Sequence, residues 1–425
     1  MRRWRSKLAR LRGTLDGKAL QLLLGAILGQ GVTVLVSPLL TRLFSPQEFG
    51  VLGAFTAIMT IFASLTTLRY ELAFPTLKSD TEAFHLLVLC GISIAAMTVG
   101  TFAVTALLVH SGVSESPWLK AYWVMIPLGL ACVGGYNVLA SEAVRLGRYG
   151  LMASTRIWQG LTSASMQVGA GLLAVGPLGL LLGYVVGQSG GMLSIWRTLR
   201  QVHRPHHRVD LAASRELASR YRSLPLFSSW AGVLDAAGNG HLLTLMMGAL
   251  YGVEIVGYIF LAERIIGRPL MMTANSLLSV YVGEVSRLRH TQPAGIRRVF
   301  RSVLLRQSAI TLAWVAVVVL VLPYAVEPLF GASWGGATPI LQLMAIACVP
   351  QSIMQSVGNT LAMLDRQSLA AAWSVARVIA IALAIYLPHF FGFDALHGLI
   401  VYAVLQALTQ ASLLLLMKKT IYALK

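Results

Sequence analysis

Five ionisable side chains stand inside apolar runs in the second half of the chain: Asp235, Glu263, Arg264, Arg268 and Arg377, with a formal sum of +1. A charge deep in an apolar medium costs several kcal/mol, so such residues face a partner or a wet cavity. Arg264 and Arg268 are four positions apart, which puts both guanidiniums on one face of a helix, where they repel unless an anion lies between them. Glu263 lies about 100° around the same helix. Asp235 precedes Leu250 by 15 residues and Arg264 follows it by 14. With a rise of about 1.5 Å per residue, both stand about 21–23 Å from a turn at Leu250, at a depth where they can pair across a hairpin. Two chemistries fit the set. One is ion pairing that holds helices together. The other is a cationic cavity that neutralises an anionic headgroup, a task suited to the planar, permanently charged guanidinium fork. Asp235 and Glu263 are also the carboxylates available to a coupling H+ or Na+.

Neutral polar residues mark further positions. Gln351, Gln355 and Asn359 are spaced by four and continue a stripe from Gln342; Asn239 follows Asp235 by four, and Gln30, Gln159 and Gln167 lie within apolar runs of the first half. Such residues line a cavity or bond helix to helix. Arg69, Tyr70 and Glu71 end the second apolar run, where Arg69 reads as an anchor and Arg69 with Glu71 as an inner gate. Metal or redox chemistry is not expected. Cys90, Cys132 and Cys348 are isolated, and His203, His206 and His207 have no carboxylate or thiol beside them. No cofactor is implied.

The elements that must position these residues are membrane helices. With 56% hydrophobic and 12% charged residues and a mean hydropathy of +0.71, the chain has too little polar surface for an ordinary soluble domain. Apolar runs give about twelve spans, at about 19–43, 48–70, 83–109, 119–141, 152–175, 177–198, 224–249, 253–283, 302–326, 338–362, 369–388 and 395–417. Of 34 Lys and Arg, 29 fall at connections or span ends on the side of the N-terminus, Arg42 and Lys120 fall at the opposite side, and three (Arg264, Arg268 and Arg377) lie deep within spans. This bias places both termini in the cytoplasm and accounts for the net charge of +18 without nucleic acid. The first apolar run reaches Leu43 without a small-residue cleavage pattern, so a cleaved leader is not expected.

A polar stretch at about 197–222 divides the spans six and six. The expected organisation is a basic leader at 1–18, an N-lobe at 19–199, a cytoplasmic linker at 200–222 and a C-lobe at 223–425. The segment at 43–52 aligns with 250–259 at an offset of 207, matching leucine, aromatic and glycine positions, including Gly50 with Gly257. An even number of spans per half makes the copies parallel, related by a pseudo-twofold axis along the membrane normal. External connections are short, so none holds a catalytic domain.

Several strings resemble a known family. Pro46-Gln47-Glu48-Phe49-Gly50 and Thr67-Leu68-Arg69-Tyr70-Glu71-Leu72-Ala73-Phe74-Pro75 resemble the start of Wzx-type oligosaccharide flippases, in the polysaccharide transport branch of the multidrug/oligosaccharidyl-lipid/polysaccharide (MOP) exporter superfamily. Gly257-Tyr258 with Ala262-Glu263-Arg264 and Pro269 is similar to that family's eighth span, as is Leu329-Phe330-Gly331 leading through Pro339-Ile340-Leu341 to its tenth. The resemblance implies an all-helical protein of two six-helix lobes in a V. It implies alternating access that moves an undecaprenyl-diphosphate-linked oligosaccharide outward across a bacterial cytoplasmic membrane, beside a polymerase and a chain-length regulator. Arg264, with Arg268 and Arg377, is where it puts diphosphate recognition. The alternatives are an ion-coupled drug or small-molecule antiporter of the same superfamily, and a membrane polymerase or ligase, which the short external loops disfavour.

Overall fold

A computed structural model describes residues 17–112, 116–202, 210–289 and 293–422. Every regular element among the described residues is helical. Among the described residues, eight helices are long and apolar enough to cross a bilayer, from Leu24–Leu43 and Pro46–Thr66 to Gln367–Phe390 and Ala395–Tyr422. The other four expected spans are helical too, over Met125–Arg145, Tyr149–Leu172, 224–251 and 253–288, but they hold more polar side chains, among them Asn137, Glu142, Arg156, Asp235, Asn239, Glu263 and Arg264. Length and composition therefore make eight of the twelve expected spans candidates for crossing.

The helices form two compact units, Met1–Val36 with Phe62–Val233 and Ser37–Ile61 with Leu234–Lys425. Their boundaries fall between the helices Gly17–Leu35 and Ser37–Leu43 and inside the helices Pro46–Thr66 and Ser229–Ala236, and none falls in the expected linker at 200–222.

In the first unit, Gly17–Leu35 packs along Tyr149–Leu172, which packs on Pro177–Ser189. Gly179, Gly183 and Gly187 repeat every four residues and abut Ala170, Gln167 and Ser163, the small-residue contact that lets membrane helices approach closely. Gln167 Nε2 donates to the Leu180 carbonyl at 3.3 Å and Gln159 Nε2 to that of Gln188 at 3.1 Å. These two glutamines tie neighbouring helices together.

The stretch expected as a solvated linker is partly folded onto this unit. Leu211–Arg220 is a helix started by Asp210, whose side chain accepts from the Ala212 N–H at 2.8 Å. Leu217 is buried with Leu86 and Val138, which docks the helix against Asp80–His110. The three linker histidines lie outside the described residues, as does the leader up to position 16.

In the second unit, Tyr281, Phe300, Met354, Val357, Leu413 and Met417 form a buried core. It joins the helices Arg268–Leu288, Pro293–Phe330, Thr338–Gln355 and Ala395–Tyr422.

Candidate functional site

The polar interior of the second unit is built on two interrupted helices. Span seven runs through Ser229–Ala236, a π turn at Ala237–His241 and Leu242–Tyr251. The break sits at Asn239 (φ −84°, ψ 20°) and Gly240 (φ 107°). Gly240 is there because an L side chain rarely adopts that φ. Span eight runs through Val253–Ala262, a π turn at Glu263–Gly267 and Arg268–Leu288. Its cause is Pro269, which has no N–H and whose ring crowds the carbonyl four residues earlier, widening the preceding turn. In that wider turn the Arg268 amide donates to the Glu263 carbonyl. Residues five apart are thereby stacked, so Glu263 faces Arg268, where a regular α-helix would set Arg264 over Arg268.

The break in span seven frees polar backbone, and the freed groups are used. Gln351 Nε2 donates to both the main-chain and side-chain oxygens of Asn239 at 3.4 Å. Gln406 Nε2 donates to Gln351 Oε1 at 3.1 Å, and Arg377 Nη1 donates to Asn239 Oδ1 at 3.2 Å. Arg377 is 6% exposed, its guanidinium stacks at 5.4 Å over the Trp373 ring, and Gly238 leaves room for it. Its Nε and Nη2 have no hydrogen-bond partner, and neither does Gln406 Oε1. Nε and Nη2 together form the side-on edge that grips an anion with two parallel bonds. Among the described residues no carboxylate is within ion-pair distance of Arg377; the acid whose charge reaches it is Asp235, which is exposed.

Asp235 thus bears on Arg377, not on Arg264 as equal depth suggested. Arg264 is buried at 3% exposure in the π turn and is engaged by its surroundings. Arg268 lies over the Phe260 ring at 5.8 Å. Glu263 stands against the Thr244 hydroxyl and Gly240. Gln355 Nε2 donates to Asn275 Oδ1 at 3.1 Å, while Asn359 and Gln30 are exposed. The structure therefore brings together Asn239, Gln351 and Arg377 and leaves Gln355, Asn359 and Gln30 outside that cluster.

The internal repeat is visible in contacts. A Cβ on Gly50 would lie 1.8 Å from the Val253 carbonyl oxygen, and one on Gly257 would lie 1.9 Å from that of Pro46. Gly50 with Gly257 and Pro46 with Val253 are both pairs separated by 207, so one backbone contact occurs twice, as a local twofold requires. Gln47 and Glu254, another such pair, bond to each other at 2.8 Å. Trp334 closes the crossing. Its ring meets Phe49 edge-on at 5.2 Å and Tyr258 at 5.9 Å, and its Nε1 donates to the Thr41 carbonyl at 2.9 Å.

In the first unit, the helix Pro46–Thr66 ends at Leu68 (φ 52°) and Arg69 (φ 60°), both left-handed, before a 3₁₀ turn at Tyr70–Thr76. Glu71 is 5% exposed, accepts a short hydrogen bond from Thr67 Oγ1 and lies 3.9 Å from Arg69 Nη1. Gly232 gives the Arg69 guanidinium its space, and Tyr70 and Phe74 are buried beside it. Among the described residues no group of three or more His, Cys, Asp or Glu is arranged to hold a metal.

Comparison with known proteins settles the kinship. Residues 39–339 match the profile of a family described as polysaccharide biosynthesis protein. The chain belongs to this family. No curated protein matches it in sequence. Its fold is that of solved MOP-type transporters. The lipid II flippase MurJ in an inward closed conformation is 11% identical, with 96% of this chain and 89% of that chain covered at a TM-score of 0.66. An outward-facing multidrug resistance MATE family transporter of the MOP superfamily is 16% identical over 96% and 97%, with a TM-score of 0.62. An inward-facing one is 17% identical over 95% of each chain, with a TM-score of 0.58. The expected kinship with a polysaccharide family is borne out, and the all-helical fold is the one expected, shared with these transporters and this flippase.

The strings that suggested the family have structural tasks. Leu68 to Phe74 make the left-handed break and its half-buried ion pair, Gly50 and Gly257 make the crossing, and Gly331 (φ 100°) turns the chain so that Trp334 is fully buried. Sequence reasoning missed Gln406 and Gln410, both buried with unpartnered Oε1 atoms. Their spacing of four in an apolar run was the available signal. It also missed Thr244 and His241, which the break in span seven places beside Glu263 and Arg268.

Proposed function

We propose that this family member flips an undecaprenyl-diphosphate-linked oligosaccharide repeat unit from the cytoplasmic to the outer leaflet, for exopolysaccharide, O-antigen or capsule synthesis. The observation behind this reading is Arg377, a buried guanidinium whose only hydrogen-bond partner among the described residues is an amide oxygen and whose side-on fork has no partner among them. A buried cation without its counter-ion is costly, and a diphosphate supplies both the charge and the paired acceptors. Two helices broken at the same interior are the arrangement that transporters use to present polar groups at membrane depth.

In this mechanism Arg377 takes the headgroup, with Arg264 and Arg268 adding positive potential from span eight. The prenyl tail stays in lipid, and alternating access of the 19–199 and 223–425 lobes exposes the glycan outside. Asp235 offsets Arg377 when the site is empty, and Glu263 or Asp235 takes a coupling H+ or Na+. The protein sits in the bacterial inner membrane with both termini cytoplasmic, and a polymerase and chain-length regulator act on its product. A cationic drug is the poorer cargo, because the buried charges are led by arginine.

The test is a strain in which this chain is the sole exporter of its repeat unit. Loss of the chain should leave lipid-linked oligosaccharide facing the cytoplasm, and Arg377→Ala should reproduce that at normal membrane abundance. Export unchanged on deletion would overturn the reading.

A further inference from the structure

The first unit holds a cavity of its own. Gly190 and Gly191 (φ 77°) interrupt the chain after Pro177–Ser189, and Gly191 lies so close to Thr155 that a Cβ there would stand 2.5 Å from its Cγ2. The helix that follows, Met192–Val202, is pinned by Ile195 and Leu199, buried with Tyr136, Ala143 and Met152. Its opposite face presents Leu193, Trp196, Arg197 and Arg200, at the spacing of three and four that marks one side of a helix.

Between this helix and Tyr149–Leu172 is an open cavity of about 500 Å³, lined by Trp158, Thr162, Leu193, Ser194, Arg197 and Thr198. That volume is in the range of small-ligand sites. Trp158 is 59% exposed and Leu193 69%. The exposed guanidinium of Arg197 meets no carboxylate among the described residues, and the hydroxyls of Thr162 and Ser194 have no partner among them. Thr198 spends its own proton on the Ser194 carbonyl at 3.0 Å. The cavity therefore offers one cation, two hydroxyl donors and an apolar rim with an indole, the set that suits a phosphate between water and acyl chains.

We propose that this cavity binds the headgroup of an anionic glycerophospholipid of the cytoplasmic leaflet. The inference rests on the orientation given under the proposed function, which places Arg197 at an inner connection. It does not rest on transport.

The experiment titrates the purified protein with phosphatidylglycerol or phosphatidylcholine of the same acyl chains and counts retained lipid by native mass spectrometry. The wild type should hold one phosphatidylglycerol that phosphatidylcholine does not displace. Arg197→Gln should weaken that retention about fivefold, the effect of one surface basic residue on an anionic lipid. Thr162→Val should weaken it in the same direction without a change in charge. Arg222→Gln, a basic residue away from the cavity, and Arg377→Ala should retain the lipid as the wild type does, so a failure here leaves the transport reading standing. Equal retention of the two lipids, no loss in either cavity variant, equal loss in Arg222→Gln, or displacement of the bound lipid by undecaprenyl diphosphate would each overturn the proposal.

Discussion

Arg69 in the first unit stands at a break in its own helix, Arg377 in the second stands beside the break in span seven, and their partners differ. Arg69 has Glu71 on its own turn at 3.9 Å, and that carboxylate is held in turn by Thr67. Arg377 has Asn239, a neutral amide, and two nitrogens with no partner. A half-exposed cation that holds a buried carboxylate on its own turn is part of the architecture, since removing the cation leaves that carboxylate uncompensated. A buried cation satisfied only by dipoles is completed by something that arrives. By that criterion the first break shapes the protein, and the second is the one we propose meets the substrate.

The largest effect expected is at Arg377. Arg377→Ala should lower export per molecule by about 100-fold or more, the size of losing an anion's buried partner, with membrane abundance unchanged. Arg377→Lys should restore only part of it, because an ammonium keeps the charge and loses the fork. Equal export by wild type and Arg377→Ala would break the comparison.

Next in size is the repeated crossing. Gly50→Leu and Gly257→Leu each force a side chain into a carbonyl less than 2 Å away and should each lower stability by about 1–3 kcal/mol, read as midpoint temperature in detergent. Because the two contacts are equivalent, the two losses should agree within about 0.5 kcal/mol. A large loss in one and none in the other would argue against the local twofold.

Glu71→Gln keeps the shape and removes the charge. It should lower stability by about 1–3 kcal/mol and reduce abundance several-fold, while export per surviving molecule holds. A fall in export with abundance intact would instead make Arg69 and Glu71 the inner gate first expected of them. Asp235→Asn should have the smallest effect, below about fivefold on export, because an exposed charge is screened by water. Loss of export as complete as in Arg377→Ala would promote Asp235 to a coupling residue.

How much of this was legible in the sequence depends on how local its cause is. The helical, membrane-embedded class follows from run length and charge placement, and the repeat follows from ten aligned residues whose glycines proved to be contact points. Pro269 was visible, but not that it would widen a turn and set Glu263 against Arg268 as well. A regular helix was assumed, and a π turn shifts every later residue by about 100°. The Asp235–Arg264 pairing failed for the same reason, since equal depth says nothing of direction around an axis. Arg377 stood among the anion-binding residues from the start, but its priority over Arg264 depends on which nitrogens remain unpartnered, a property of four helices at once. Gln159 and Gln167 looked like interior polarity because composition does not distinguish a cavity wall from a helix contact.

The central claim is that the protein recognises its cargo through a charged headgroup. The most direct measurement is flipping by the reconstituted protein of two lipids with one glycan and one prenyl chain, joined by a diphosphate in one and by a neutral ether in the other. The account predicts that the diphosphate lipid crosses at least about 100-fold faster and that Arg377→Ala removes the difference. Equal rates for the two lipids in the wild type would contradict it.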